Sequence, residues 1–249
     1  MKKLLPVLCC LIALRSVAAV PCDSGRHSRL QNADTIKAAS FIVPAALAAY
    51  GGLSFAVHPI RRLDYYLDGK LRPGIKTTVA TYLVFTPIAA VYGLNLAGVP
   101  GKNNFVDRTA LIALTACFGG AADFSLKHII GRPGPGGFET SSFPSGHTIG
   151  VFAAAEFLAE EYGDTSPGYT VAGYTVAIVT GTMRMYTHNH WFSDVVAGAG
   201  IGIASTKLAY LVYPCVKKWL TRDNGSGKST FIMPTYQDGM PGFAFAKTF

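Results

Sequence analysis

The chain has 249 residues, of which half are hydrophobic, 14% charged and 12% aromatic, with a mean hydropathy of +0.31. Soluble chains carry about 25% charged residues, so a disordered tail protein, a collagen and a disulfide mini-scaffold are excluded. Twenty-two basic against fourteen acidic residues give a formal charge of +8. On a polar chain that balance would suggest nucleic acid. On this apolar one it points to a membrane or to anionic, phosphate-bearing substrates.

Residues 1–19 read as an export signal: Lys2 and Lys3 supply charge, Leu4 to Leu14 an apolar core, and Ser16-Val17-Ala18-Ala19 small residues for cleavage. Such a core is too short to span a bilayer alone, and an uncleaved anchor is the alternative. Cys9 and Cys10 leave with the signal. Cys22, Cys117 and Cys215 are odd in number and widely spaced, so no disulfide framework is implied. Cys117 lies in an apolar run and reads as a small buried hydrophobe.

Residues 20–37 form a polar lead-in. Six apolar stretches of about helical length follow: Ala38–Val57, Val79–Val99, Thr109–Leu126, Thr148–Leu158, Gly168–Met185 and Trp191–Tyr213. They predict an all-α, membrane-embedded bundle of about five or six core helices over residues 38–220. The basic segment His58–Lys76 is expected to be a headgroup-facing loop. Glu156, Glu160 and Glu161 are expected near a helix end at the lipid headgroups, because charge at the centre of a span is costly. Residues 221–249 form a C-terminal tail, in which Asp238-Gly239 and the alternation of residues 242–246 suggest a short strand pair or an extended segment.

Three polar clusters sit at the ends of apolar segments. Lys127 and Arg132 follow the third; Pro144-Ser145-Gly146-His147 opens the fourth; Arg184 ends the fifth, and His190 and Asp194 open the sixth. If successive helices run antiparallel, all three clusters fall on one face of the bundle. Lys127, Arg132 and Arg184 then offer fixed positive charge to a phosphate. Gly146 permits close backbone approach at a helix start, where free N–H groups bind anions, and Ser145 adds a hydroxyl. His190 and Asp194, four apart, share a helix face. A carboxylate there can hold one ring proton and leave the other nitrogen free to attack. His147 is a second imidazole, suited to protonating a leaving oxygen.

These residues resemble the type 2 phosphatidic acid phosphatase superfamily, which includes bacterial acid phosphatases and vanadium haloperoxidases. Its pattern is K-x6-R-P, then P-S-G-H, then S-R-x5-H-x3-D. Residues 144–147 match the second motif in full; Arg184, His190 and Asp194 match the third, with Met183 where serine is usual. The resemblance covers about residues 78–213. It implies a helical bundle in which His190 is a nucleophile forming a phosphohistidine, Asp194 orients it and His147 is the acid. Lys127, Ser145, Gly146 and Arg184 would hold the phosphate, with no metal and no cofactor. The first motif departs from the pattern: its arginine position holds Gly134, and Arg132 is expected to serve the phosphate instead.

Other signals have blander readings. His188, His190 and Asp194 lack the spacing of a metal site, His188 reads as a loop residue, and Asn189 and Trp191 as interface anchors. Gly225–Thr230 resembles the end of a nucleotide loop, but Arg222 stands where an earlier glycine is required. Neither nucleotide nor nucleic acid is expected as a partner. The resemblance implies a phosphorylated membrane lipid, of lipid A, undecaprenyl diphosphate, phosphatidylglycerol phosphate or phosphatidic acid type. Alternatives are a soluble exported acid phosphatase, a haloperoxidase, or a catalytically impaired lipid-phosphate-binding protein. A cleaved signal followed by six spans would put the clusters on the cytoplasmic face, whereas the resemblance implies the periplasmic side of a bacterial envelope. The interrupted stretch Ala38–Val57 is the weakest span, and if it does not cross, the clusters face outward.

Overall fold

The computed structural model describes residues 38–71, 78–137, 140–221, 230–237 and 240–247, with side chains up to residue 219. The export signal, the lead-in and most of Gly225–Thr230 lie outside the described residues. A 3-10 turn, Ala38–Phe41, leads into α1 (Ile42–Leu53). Then come α2 (His58–Lys70), α3 (Val79–Leu83), α4 (Thr86–Leu96), α5 (Phe105–Ile130), α6 (Gly146–Tyr162), α7 (Pro167–Tyr186) and α8 (Phe192–Thr221). A hairpin of β1 (Thr230–Gln237) and β2 (Met240–Lys247) follows, in which Ile232 pairs with Phe245 and Pro234 with Phe243.

Among the described residues the six apolar stretches thus become seven helices and the basic segment an eighth, for local reasons. Pro87 near the start of α4 breaks Val79–Val99 into two helices. The basic segment expected as a loop is largely helical: α2 takes Pro59 in its first turn and closes at Leu71. It bends by 85° from the preceding helix, and Arg61 fixes the corner by donating to the carbonyls of Ser54 and Phe55 at 3.3 and 2.6 Å. Asn104 caps α5 by accepting from the Asp107 amide at 2.9 Å. At the other end Gly131, with φ of 55°, adopts the left-handed conformation that stops the helix four residues past Lys127.

Among the described residues, α5 and α8 are long and apolar enough to cross a membrane, and α1 with α2 qualifies only as a bent pair. Helix α6 is the centre of the bundle: Val151, Ala155, Phe157 and Tyr162 on it are fully buried. Its ends meet two apolar clusters, one built with Val91 and Leu111, the other with Ala177. Helix α8 lies against α1, α5 and α6. The contact is close because it is lined by small residues. A side-chain carbon on Gly202 would stand 2.9 Å from the Ala153 amide, and one on Gly198 2.9 Å from the Ser145 carbonyl. In lipid, where apolar side chains gain little by leaving the tails, such close backbone packing is the main attraction between helices.

Two expectations change here. Cys117 is exposed rather than buried. The α6 glutamates are not solvated helix-end charges: Glu156 and Glu161 are buried. Glu161 is held by Arg108 at 3.1 Å, by Asn103 at 2.5 Å and by Tyr210 at 2.7 Å, while Lys207 and Tyr174 take Glu156. Pairing with cations and hydroxyl donors from neighbouring helices is what lets these charges stay inside.

Candidate active site

The chain ends of four helices meet at one rim of the bundle: the last turn of α5, the first of α6, the last of α7 and the approach to α8. They bring Lys127, Gly146, His147, Arg184, His190 and Asp194 together. Where α6 begins, the amides of Gly146, His147 and Thr148 precede the first intrahelical bond, which runs from Ile149 to the Ser145 carbonyl at 2.9 Å. Ser145 is fully buried, and its Oγ accepts from Thr148 Oγ1 at 2.8 Å, leaving its own proton to donate. The Lys127 ammonium lies 3.3 Å from where a side-chain carbon on Gly146 would stand, so any larger residue there would crowd the cation.

His190 is almost wholly buried. Its Nδ1 faces the Ser142 carbonyl at 2.9 Å, a contact that places the proton on Nδ1. Nε2 is then an unprotonated nitrogen, 3.5 Å from the Arg184 guanidinium. Burial, then the charge of Arg184, pushes the ring down to about 3, against the contrary effect of the Ser142 carbonyl. His147 opens the site from the α6 side, with Nε2 3.2 Å from Thr81 Oγ1 on α3. Burial lowers its pKa, reinforced by Arg184 and Lys127 and opposed by Asp123. Both rings are therefore biased towards the neutral form.

Asp194 does not bond His190. One carboxylate oxygen accepts from the Ser142 hydroxyl and from the Trp191 amide at 3.0 Å; Ser142 Oγ in turn lies 3.2 Å from His190 Nδ1. The other oxygen accepts from Arg132 at 2.9 Å.

Arg132, expected at the phosphate, is occupied elsewhere. Its guanidinium also donates to Ser193 Oγ at 2.8 Å and to Asp64 at 2.8 Å, with the rings of Phe55 and Trp191 each 5.3 Å away. Asp64, buried on α2, accepts in addition from the Ser193 amide at 2.9 Å and from its hydroxyl at 2.6 Å. Asp68, one turn further along α2, holds His188 Nδ1 at 2.6 Å. Helix α2 thus pins the segment 188–194 at two points. His188 has φ of 51° and lies in a turn, as expected, and its contact with Asp68 ties that turn to α2. Trp191 anchors inward, its ring nitrogen donating to the Pro133 carbonyl at 2.9 Å.

Sequence reasoning missed Asp64, Thr81, Asp123 and Ser142. Asp123 was findable: it stands one helical turn before Lys127, with which it pairs at 3.1 Å. Asp64 and Thr81 lie on other helices, and no local spacing links them to the motifs. Among the described residues no group of three or more His, Cys, Asp or Glu is arranged to hold a metal ion.

Residues 108–218 match the model of the PAP2 superfamily. Over this segment the chain is similar to that superfamily. Every motif residue named above falls inside it, whereas Asp64, Asp68 and Thr81 precede it. A lipid A 1-phosphatase from Porphyromonas gingivalis is 45% identical to the chain over 86 residues. That match covers 34% of this chain and 19% of the relative's length. A PAP2-type phosphatidylglycerolphosphate phosphatase from Bacillus subtilis, described as transmembrane, is similar at TM-score 0.46 and 19% identity, over 75% of this chain and 98% of its own. LpxE of Aquifex aeolicus is similar at TM-score 0.42 and 20% identity, over 66% of this chain and 93% of its own.

Proposed function

We propose that the protein is a membrane-embedded phosphatase that removes phosphate from a lipid through a phosphohistidine, without a metal. The observation that carries this reading is the state of His190: a neutral imidazole whose Nδ1 is held by a carbonyl and whose Nε2 is bare beside Arg184. A buried base with its free lone pair next to a fixed cation is suited to attacking an anionic, electrophilic phosphorus.

The substrate phosphate sits between Arg184, Lys127, the Ser145 hydroxyl and the free amides opening α6, which take up the charge of its non-bridging oxygens. The Nε2 lone pair of His190 forms a bond to phosphorus as the bond from phosphorus to the lipid oxygen breaks. His147 gives its proton to that oxygen, and the lipid alcohol leaves. Water then attacks the phosphorus, the now neutral His147 takes a proton from it, and the bond from phosphorus to Nε2 breaks, so that inorganic phosphate leaves and His190 regains its neutral ring. His147 must be charged for the first step, and the arriving phosphate supplies the negative charge that raises its pKa.

Lipid A or another envelope lipid phosphate, such as undecaprenyl diphosphate, phosphatidylglycerol phosphate or phosphatidic acid, is the substrate class. The relatedness to a lipid A 1-phosphatase supports it. We place the site on the periplasmic side: α1 with α2 is a bent pair, and its corner and the polar α2 helix serve the rim rather than a straight crossing. Arg132 acts as a positioning residue for Asp194, not as a phosphate ligand.

The test is phosphate release from a panel of these lipids in detergent, with chelator present, beside His190→Ala. Release by the native protein that is insensitive to chelator and absent in the variant is expected. Undiminished release by His190→Ala ends the mechanism.

A further inference from the structure

The phosphate cradle contains a carboxylate that the mechanism does not use. Asp123 lies on α5 one turn before Lys127, and its Oδ2 pairs with the Lys127 ammonium at 3.1 Å. Both its oxygens stand 3.2 Å from the position a side-chain carbon would take on Gly146, so Asp123 abuts the helix start that receives the anion. Oδ1 is buried and has no hydrogen-bond partner among the described residues. An anion site is an unfavourable place for an unpaired acceptor, because it repels a fully ionised phosphate and leaves a desolvated oxygen unsatisfied. Both costs vanish if the ligand brings a donor.

A phosphate monoester can bring one. Its singly charged form keeps a P–OH group, whereas a diester has no dissociable proton at neutral pH and sulfate has none. We propose that Asp123 Oδ1 accepts the P–OH hydrogen of the bound phosphate and so selects monoesters over diesters and sulfate. This rests on the phosphatase reading and names its specificity. The groups facing Asp123 fit the role: Lys127 holds Oδ2 and leaves Oδ1 free, and the charge of Asp123 is felt by His147, the proposed acid. The remaining cradle charges, Lys127 and Arg184, serve the oxygens that carry no proton. No bond other than the hydrogen bond forms in this step.

Inorganic phosphate and sulfate are the probes, since they share size and tetrahedral shape and differ in the dissociable proton. Heat stabilisation of the full chain in detergent, measured at matched ionic strength near pH 6.5, gives the apparent affinity for each without requiring turnover. The native protein is expected to favour phosphate on the order of 10- to 100-fold, as one hydrogen bond to a charged acceptor gives. Asp123→Asn, which puts an N–H donor in place of one carboxylate oxygen, and Asp123→Ala, which removes the acceptor, should both bring the two anions level. Equal affinity in the native protein, or a preference that survives both substitutions, overturns the role of Asp123 while leaving the His190 mechanism standing. Failure of both anions to stabilise the native protein overturns the cradle itself, and with it both readings. A variant that does not fold leaves the native phosphate-to-sulfate ratio to decide.

Discussion

Ser142 stands between Asp194 and His190. Its hydroxyl donates to the carboxylate, its carbonyl faces the imidazole at 2.9 Å, and its Oγ is 3.2 Å from the same ring nitrogen. The carboxylate is therefore linked to the His190 ring through an intermediate side chain. Ser142→Ala keeps the carbonyl contact but cuts the link to Asp194. The expected result is a lower kcat, by roughly tenfold or more, with KM little changed. Steady-state kinetics on one lipid phosphate checks it, and an unaltered kcat would show the link to be idle.

Arg132 offers a sharp contrast between two roles. If it held the phosphate, Arg132→Ala would weaken substrate binding and leave folding alone. As the clamp on Asp64 and Asp194 it should do more, because removing it leaves two buried carboxylates without their cation, a loss of about 3–5 kcal/mol in comparable cases. Thermal unfolding in detergent should drop markedly, together with kcat. Arg132→Ala with Asp64→Asn, which removes one of the stranded charges, should recover part of the stability.

The two imidazoles set opposite pH trends. In the folded chain His190 is pushed down to about 3, below its ordinary 6.5. Between those values the unfolded chain binds a proton that the folded chain refuses. Stability should thus fall as pH drops through that window and be level in this respect above it. Melting curves from pH 7.5 to 4 should show the decline, and His190→Asn should shallow it.

Activity runs the other way with His147, whose pKa is lowered by burial and by the charges of Arg184 and Lys127. The proposed acid must be protonated, so kcat/KM should fall as pH rises through a value below 6.5. The bound phosphate raises that pKa, so the corresponding fall in kcat should come at higher pH. His147→Gln should lose on the order of 100-fold or more in kcat on a lipid alcohol leaving group, and far less on an aryl phosphate whose leaving oxygen needs no proton.

Helix spacing supports the site as directly as any charge does. Gly198 faces the Ser145 carbonyl and Thr148, and Gly202 the backbone of Ile149 and Ala153. Gly198→Ala should push α8 from α6 at the level of the catalytic rim, costing about 1–3 kcal/mol of stability as overpacking does. It should also lower activity more than Gly202→Ala, which acts a turn further away. Melting temperature and lipid-phosphate turnover of the two variants, side by side, make the comparison.

How far the sequence reached is clearest residue by residue. Lys127, Ser145, Gly146, His147, Arg184, His190 and Asp194 were all named from local spacing and from helix ends. Their meeting at one rim was legible because antiparallel helices joined by short connections have a forced arrangement of their termini. The same logic could not say that α2 is helical, since its Arg61, Arg62 and Lys70 hide an inward pair of acids at helical spacing, Asp64 and Asp68. Nor could it say that Glu156 and Glu161 are buried, because their partners come from α5, α7 and α8.

What the sequence by itself determined is the inventory and the meeting place: which imidazoles, which cations, and the rim where their helices end. The tertiary structure decided the pairings. Arg132 turns to carboxylates, Ser142 comes between acid and base, and Asp123 enters the cradle with one oxygen unpaired. Periodicity along a chain fixes which face a residue occupies, but a charged group's partner depends on distances between chain segments far apart in sequence, and those exist only once the helices have packed.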